Sequence, residues 1–244
     1  MHRFFIPKPF KQEMQITGRD AHHIIDVLRM IPGDRLQVVA DDGISFLGEI
    51  ADISTNTVTV YAREILRETH EPDVRISLLQ GLAKGGKMEL IIQKAVEIGV
   101  TDIFPVAMDH SVMVLDNSKA EKKTQRWQKI AEAAAKQSKR DAIPAVHEVA
   151  TLTQVLRTKK WDLLLIAYES ENQVSLKEAL QTHKEAKTIG LIIGPEGGLS
   201  NEEVKTAQAA GGIAVSLGRR ILRTETAGLV AATAILYETD NLGL

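Results

Sequence analysis

Two short stretches hold the residues best suited to chemistry. The first, LIIGPEGGLSNEEV from Leu191, runs an apolar segment into Gly194, Pro195, Glu196, Gly197 and Gly198, with Ser200 and Glu203 close behind. Glycines at such a turn admit positive φ and let a ligand reach backbone N–H groups with no Cβ in the way. Ser200, with Glu203 three residues on, forms a capping box that fixes where the next helix begins. Phosphate-gripping loops are built like this, but no Lys-Ser or Lys-Thr follows the glycines and the anionic Glu196 stands at the centre. The stretch is therefore either a plain strand-to-helix connection or a seat for a cationic or zwitterionic ligand.

The second stretch, SLGRRILRTETAG from Ser216, sets Arg219, Arg220 and Arg223 between a strand end and the last helix, with Thr224 as a good N-cap. Arginine cannot act as a base at ordinary pH. In the Ile-Leu-Arg-Thr junction Arg223 would hold an anion or stabilise developing negative charge, unless it forms a structural salt bridge to Glu225 or Glu196. Over residues 119–140 eight basic residues face two acidic ones, a local excess that the whole-chain net charge of -2 conceals. On a helix most of these bases share one arc, and Trp127, Ala131, Ala134 and Ala135 another. Such a strip is a solvated helix face or a track for a phosphate backbone.

The elements that must carry these loops follow from periodicity. RLQVVADDG, ISFLGEIADI and NTVTVYAREI mix alternation with short apolar runs, and Asp-Asp-Gly punctuates the first two as in a hairpin. One helix is expected over residues 19–30, with Ile24, Val27, Leu28 and Ile31 at helical spacing before Pro32-Gly33. These features describe a small barrel-like domain over residues 1–71, ending in the polar Arg67-Glu68-Thr69-His70-Glu71-Pro72 segment. From residue 72 to 244 strands and helices alternate, and near-continuous apolar strands such as WDLLLIAYE and KTIGLIIG imply a parallel sheet covered on both faces. In such sheets ligands bind at the carboxyl ends of strands, where both glycine loops fall; the strand end at Ala167 and Tyr168 is a third candidate.

Composition narrows the classes further. At 244 residues and 44% hydrophobic content, the chain can bury a sizeable core. It contains no cysteine, which excludes disulfides, thiolate metal sites and cysteine nucleophiles. No apolar run approaches the ~18 residues of a membrane span, and the N-terminus lacks a signal-peptide core. A cytoplasmic protein is expected, with no membrane partner. The seven histidines show no metal-ligand spacing, His22 and His23 being adjacent, so no metal is expected.

Together, RFF near the start, GLAKGGKMELIIQKAVEIGV at 81–100, RWQKIAEAAAKQSKR at 126–140, IGPEGGLSNEE at 193–203 and LGRRILRTETA at 217–227 resemble the RsmE family across nearly the whole chain. One departure is Gly86, where that family more often has an acidic residue. The resemblance implies transfer of a methyl group from S-adenosyl-L-methionine to N3 of a uridine in 16S ribosomal RNA of the small subunit. It also implies a SPOUT-type α/β fold with a C-terminal trefoil knot, a PUA-like β-barrel ahead of it, and a homodimer. Carried over by motif, Gly194, Glu196, Gly197, Gly198, Leu217, Gly218, Ile221, Leu222 and Arg223 would line the cofactor. Arg223 would stabilise charge on the uracil, and Glu196 is the carboxylate to test as proton acceptor. For RNA contact Arg3, Lys8, Lys84, Lys87, Arg126 and Arg140 are nominated. A non-catalytic RNA-binding assembly factor would keep the barrel and the basic helix but have no need of the paired glycine loops. A nucleotide-using enzyme would need a phosphate loop, and the chain has none of its signatures.

Overall fold

The computed structural model describes residues 1–67, 69–113 and 116–242; Glu68, within the expected linker, lies outside them. The chain forms two compact units, Met1–Glu71 with Lys139–Ala142, and Pro72–Ser138 with Ile143–Leu244.

In the first unit β1 (Arg3–Ile6), β2 (Glu13–Thr17), β3 (Arg35–Ala40), β4 (Ser45–Ser54) and β5 (Thr57–Ile65) form one sheet in the order β1-β3-β4-β5-β2, with β1 and β2 as its edges. Alternation sets the buried face: Met14 and Ile16 of β2 point inward, and Leu36, Val38, Phe46, Ile50, Val58 and Val60 complete the core. Gly43, at φ +81°, closes the Asp-Asp-Gly turn between β3 and β4.

The expected helix over 19–30 is shorter and changes pitch. An α-helix α1 (Gly18–His22) passes into a π-turn (His23–Val27), closed by Leu28 N–H donating to the His23 carbonyl at 2.9 Å. The wider turn rotates the following residues. Ala21, Ile24, Ile25 and Leu28 pack inward and Val27 is 64% exposed, while Arg29 at φ +53° lies past the helical turns and before Ile31, which is 63% exposed. Residues 139–142, which the sequence reading assigned to the second domain, pack in this unit. Lys139 turns out of the preceding helix at φ +60°, and the Asp141 carboxylate then meets Arg3 and Ser45.

The second unit carries β6 (Arg75–Gly81), α2 (Lys87–Ile98), β7 (Asp102–Ala107), α3 (Asn117–Gln137), β8 (Ala145–Val146), β9 (Ala150–Thr151), α4 (Leu152–Thr158), β10 (Leu163–Ala167), α5 (Leu176–Thr182), β11 (Thr188–Ile193), α6 (Asn201–Ala209), β12 (Ile213–Val215) and α7 (Thr224–Glu238). Its strands run parallel in the order β12-β10-β11-β6-β7-β8, with β9 beside β7. The chain builds outward from β6 to β7, then returns to the other side of β6 with β11. That reversal brings the carboxyl ends of β6, β11, β10 and β12 together, the place where open parallel sheets hold ligands. The two-residue strands β8 and β9 are too short to leave a periodic signal. In α3, Trp127, Ala131, Ala134 and Ala135 are buried, as the helical spacing predicts.

Candidate functional site

A cleft of about 390 Å³ opens at these strand ends, lined by residues 167–169 after β10, 193–196 with 198 and 199 after β11, and 216–223 after β12. Lys87 at the start of α2 and Thr224, Glu225 and Ala227 of α7 complete it. Of the nine residues expected at a cofactor, Gly194, Glu196, Gly198, Leu217, Gly218, Ile221, Leu222 and Arg223 line this cleft.

Gly197 does not. A Cβ there would sit 2.7 Å from His110 Cβ, so its missing side chain makes room for the turn after β7 instead of a ligand. That turn is fastened from the same loop: Ser200 Oγ donates to Asp109 Oδ2 at 2.5 Å, and Asp109 N–H donates to Glu203 Oε1 at 3.0 Å. The Ser200–Glu203 capping box is present at the start of α6. Gly194 lies so close to Gly198 that a Cβ would meet the Gly198 carbonyl carbon at 2.9 Å. Gly198 takes φ +73°, which favours glycine, and a Cβ on it would face the Glu169 carboxylate at 3.4 Å.

Thr224 is not the N-cap of α7. Arg223 caps the helix with extended backbone and no side-chain bond. The Thr224 hydroxyl instead donates to the Gly194 carbonyl at 2.6 Å and accepts from Gln80 Nε2 at 2.8 Å. Gln80, fully buried at the end of β6, thus ties the first glycine loop to the second through one hydroxyl. Nothing in the local sequence marks Gln80 for this part; its only signal is a polar residue inside the apolar VRISLLQGL run.

The salt bridges considered for Arg223 go to another cation. Lys87 Nζ lies 3.1 Å from Glu196 Oε1 and 3.3 Å from Glu225 Oε2, while the Lys84 N–H donates to Glu196 Oε1 at 3.2 Å. Partial burial pushes the Glu196 carboxyl up, but hydrogen bonds from its own backbone N–H, from Lys87 and from Lys84 outweigh it and hold it below the usual carboxylate range. Glu225 is likewise held low, first by its own backbone N–H, and the Glu196 hydrogen bond raises Lys87. A carboxylate lowered and committed to a cation is a poor proton acceptor, so this geometry does not suit Glu196 to the base role expected of it. Arg223 is exposed; its carbonyl accepts from the Thr226 and Ala227 N–H groups, and its guanidinium makes no hydrogen bond or salt bridge among the described residues, though its charge helps hold Glu225 low.

The six nominated RNA contacts part company. Arg3 and Arg140 are buried. Arg3 Nη1 pairs with Asp141 Oδ1 at 2.8 Å and also donates to the Lys139 and Arg140 carbonyls, while Arg140 pairs with Glu71. Both are structural cations of the first unit, not exposed phosphate contacts. Lys87 is engaged as above. Arg126 is exposed but pairs with Glu89 at 2.8 Å, and Lys8 and Lys84 are exposed. No group of three or more metal-ligating side chains occurs among the described residues.

An RNA methyltransferase domain model matches residues 70–236, and an RNA methyltransferase PUA domain model matches residues 16–60. The ribosomal RNA small subunit methyltransferase E of Bacillus subtilis is 37% identical over 99% of this chain and 98% of its own length. The chain belongs to the RsmE family. An RsmE from Neisseria gonorrhoeae, solved bound to S-adenosyl methionine, is 30% identical and covers 97% of each chain at a TM-score of 0.84. A Legionella pneumophila chain solved with that molecule as its bound cofactor is also 30% identical, covering 96% of each chain at a TM-score of 0.83. RsmE membership assigns the open five-stranded sheet to a PUA domain and the parallel sheet to the methyltransferase domain.

Proposed function

We propose that this protein transfers the methyl group of S-adenosyl-L-methionine to N3 of a uridine in 16S ribosomal RNA. In this reading it acts on the small subunit in the cytoplasm, as a homodimer with its C-terminal helix threaded in the family's trefoil knot. The observation that carries the proposal is the glycine-walled cleft with an exposed arginine at its edge. Its volume of about 390 Å³ suits a small cofactor. Gly194, Gly198 and Gly218 bare their backbone to it, Leu199, Leu217 and Leu222 offer apolar surface to a flat base, and Glu169 supplies negative charge for a cationic group. With Glu196 neutralised by Lys87, Glu169 takes over the attraction for a cation that the sequence assigned to Glu196.

When bound, the cofactor supplies a methyl group already activated for transfer. The protein must then orient the uracil, let the N3 proton leave and stabilise the resulting anion. Arg223, fixed at the N-cap of α7 with its guanidinium exposed, meets the charge on the uracil carbonyl oxygens. The proton passes to solvent, since Glu196 is held as an ion pair. N3 is buried in a Watson–Crick pair, so the target uridine is unpaired or extruded when it reacts. Exposed Lys8 and Lys84 contribute phosphate contacts, which makes RNA affinity fall with salt.

Calorimetric titration with S-adenosyl-L-methionine, with ATP as control ligand, tests the reading. Binding of the former alone, followed by methylation of small subunits read by mass, is the expected result. A folded protein that binds neither ligand up to millimolar concentration would be an RNA-binding assembly factor instead.

A further inference from the structure

Lys87 is the first residue of α2, and its ammonium stands where three elements meet. Glu196 reaches it from the loop after β11 and Glu225 from the first turn of α7, at 3.1 and 3.3 Å. The two carboxylates therefore come from the two walls of the cleft, and the cation comes from a third element packed on the sheet. The three side chains are 27%, 20% and 18% exposed, so solvent screens them less than it does an open surface pair. Glu225 Oε2 is buried, and the carboxylate is compensated by its own backbone N–H, by Lys87 at 3.3 Å and by the charge of Arg223. The Lys84 N–H, donating to Glu196 from the turn before α2, holds the same carboxylate from a second point.

Lys87 is one of the cations nominated for an RNA phosphate. That use requires a cation with charge to spare, yet two carboxylates close on this one and the group of three carries a net negative charge. Gly86, the N-cap of α2, has no side chain to bond the first turn.

We infer that Lys87 is a positioning residue for the cofactor: it sets the spacing between the glycine loop and the first turn of α7, which follows the arginine loop, by binding one carboxylate from each. The inference rests on the cofactor reading above. It acts through Glu196 and Glu225, and the loop and the helix turn spread when the ammonium is removed.

A calorimetric double-mutant cycle with S-adenosyl-L-methionine tests it, using wild type, Lys87→Met, Glu196→Gln and the double variant, with Lys87→Arg as the conservative control. Lys87→Met is expected to weaken cofactor binding about tenfold, and the same change in the Glu196→Gln background to cost much less. Lys87→Arg should recover most of the affinity, and RNA affinity of Lys87→Met should stay within about twofold of wild type at fixed salt. Unchanged cofactor affinity with weaker, less salt-sensitive RNA binding would make Lys87 a phosphate contact and overturn the inference. Tighter cofactor binding would reduce its role to charge alone, and an equal loss in both backgrounds would show that it does not work through Glu196; either also overturns it. Should Lys87→Met fail to fold, the same cycle on Lys87→Gln and Glu196→Gln decides the matter. Wild-type protein that binds no S-adenosyl-L-methionine would defeat the cofactor reading itself, a result separate from all of these.

Discussion

The hydroxyl of Thr224 donates to the Gly194 carbonyl across 2.6 Å, joining residues thirty positions apart at the base of the cleft. It also accepts from the buried Gln80 amide, so a single side chain satisfies a donor and an acceptor on two other strand ends. Replacing it by valine keeps the shape and leaves the Gly194 carbonyl without this donor, while Gln80 Nε2 keeps only its bond to the Gly81 carbonyl. An unsatisfied buried polar group costs about 1–3 kcal/mol. Thr224→Val should therefore lower unfolding free energy by about that amount in urea titration, while Thr224→Ser stays close to wild type. Equal stability of all three proteins would remove the bridge from the account.

Gly81 ends β6 against the turn of the first glycine loop. A Cβ at this position would lie 2.5 Å from the Pro195 nitrogen and 2.9 Å from the Gly194 carbonyl carbon, and neither backbone atom can swing aside. Gly81→Ala is expected to destabilise the protein by about 1–3 kcal/mol through overpacking. The same displacement should weaken S-adenosyl-L-methionine binding, because Gly194 moves with Pro195. Gly85→Ala serves as the contrast: open space surrounds that position, so its cost comes from its φ of +65° and not from a clash. Calorimetry on both variants separates the effects.

The guanidinium of Arg223 makes no hydrogen bond or salt bridge among the described residues and stands exposed at the cleft. Its removal should cost transition-state stabilisation and little else, since no other side chain depends on it for a hydrogen bond. Arg223→Ala is expected to lower turnover on ribosomal subunits by about 10²- to 10³-fold, the range for removing one electrostatic stabiliser. RNA affinity in a filter-binding titration should be largely unchanged. Undiminished turnover would sink this role.

Asp141 anchors residues 139–142 in the first unit. Burial pushes its carboxyl up, but the His70 backbone N–H, the Ser45 hydroxyl and the Arg3 guanidinium outweigh it and hold it below its ordinary value. A folded pKa below the unfolded one contributes stability above the unfolded pKa, about 3.9 for aspartate, and loses it as pH falls through the folded value. Wild-type stability should thus drop on acidification below about pH 4. Asp141→Asn should start lower, by about 3 kcal/mol for a broken buried pair, and show a flatter dependence over that range. Chemical denaturation at stepped pH, following the first unit's transition, checks both the offset and the slope.

Much of the framework was legible in the chain because its signals are local. Apolar runs and helical spacing marked the strands and helices of the parallel sheet, and Ser200 with Glu203 marked the start of α6. The buried face of α3 was readable from Trp127 and its alanines, since residues three and four apart share a face whatever packs on it. Spacing alone predicts too long a helix near Gly18, because it announces neither the π-turn at His23–Val27 nor the left-handed Arg29 that follows it.

What the sequence by itself determined is therefore the alternation of elements, the two glycine loops at strand ends and, through their motifs, the family. Tertiary structure alone decided the partners. Lys87 meets Glu196 and Glu225, Arg3 meets Asp141, Gly197 faces His110 and Thr224 bridges Gln80 to Gly194, all across long separations in the chain. Backbone periodicity is fixed by neighbours within a turn or two. A charge finds its counter-charge according to which strand ends the sheet order places side by side, and that order is a property of the folded chain as a whole.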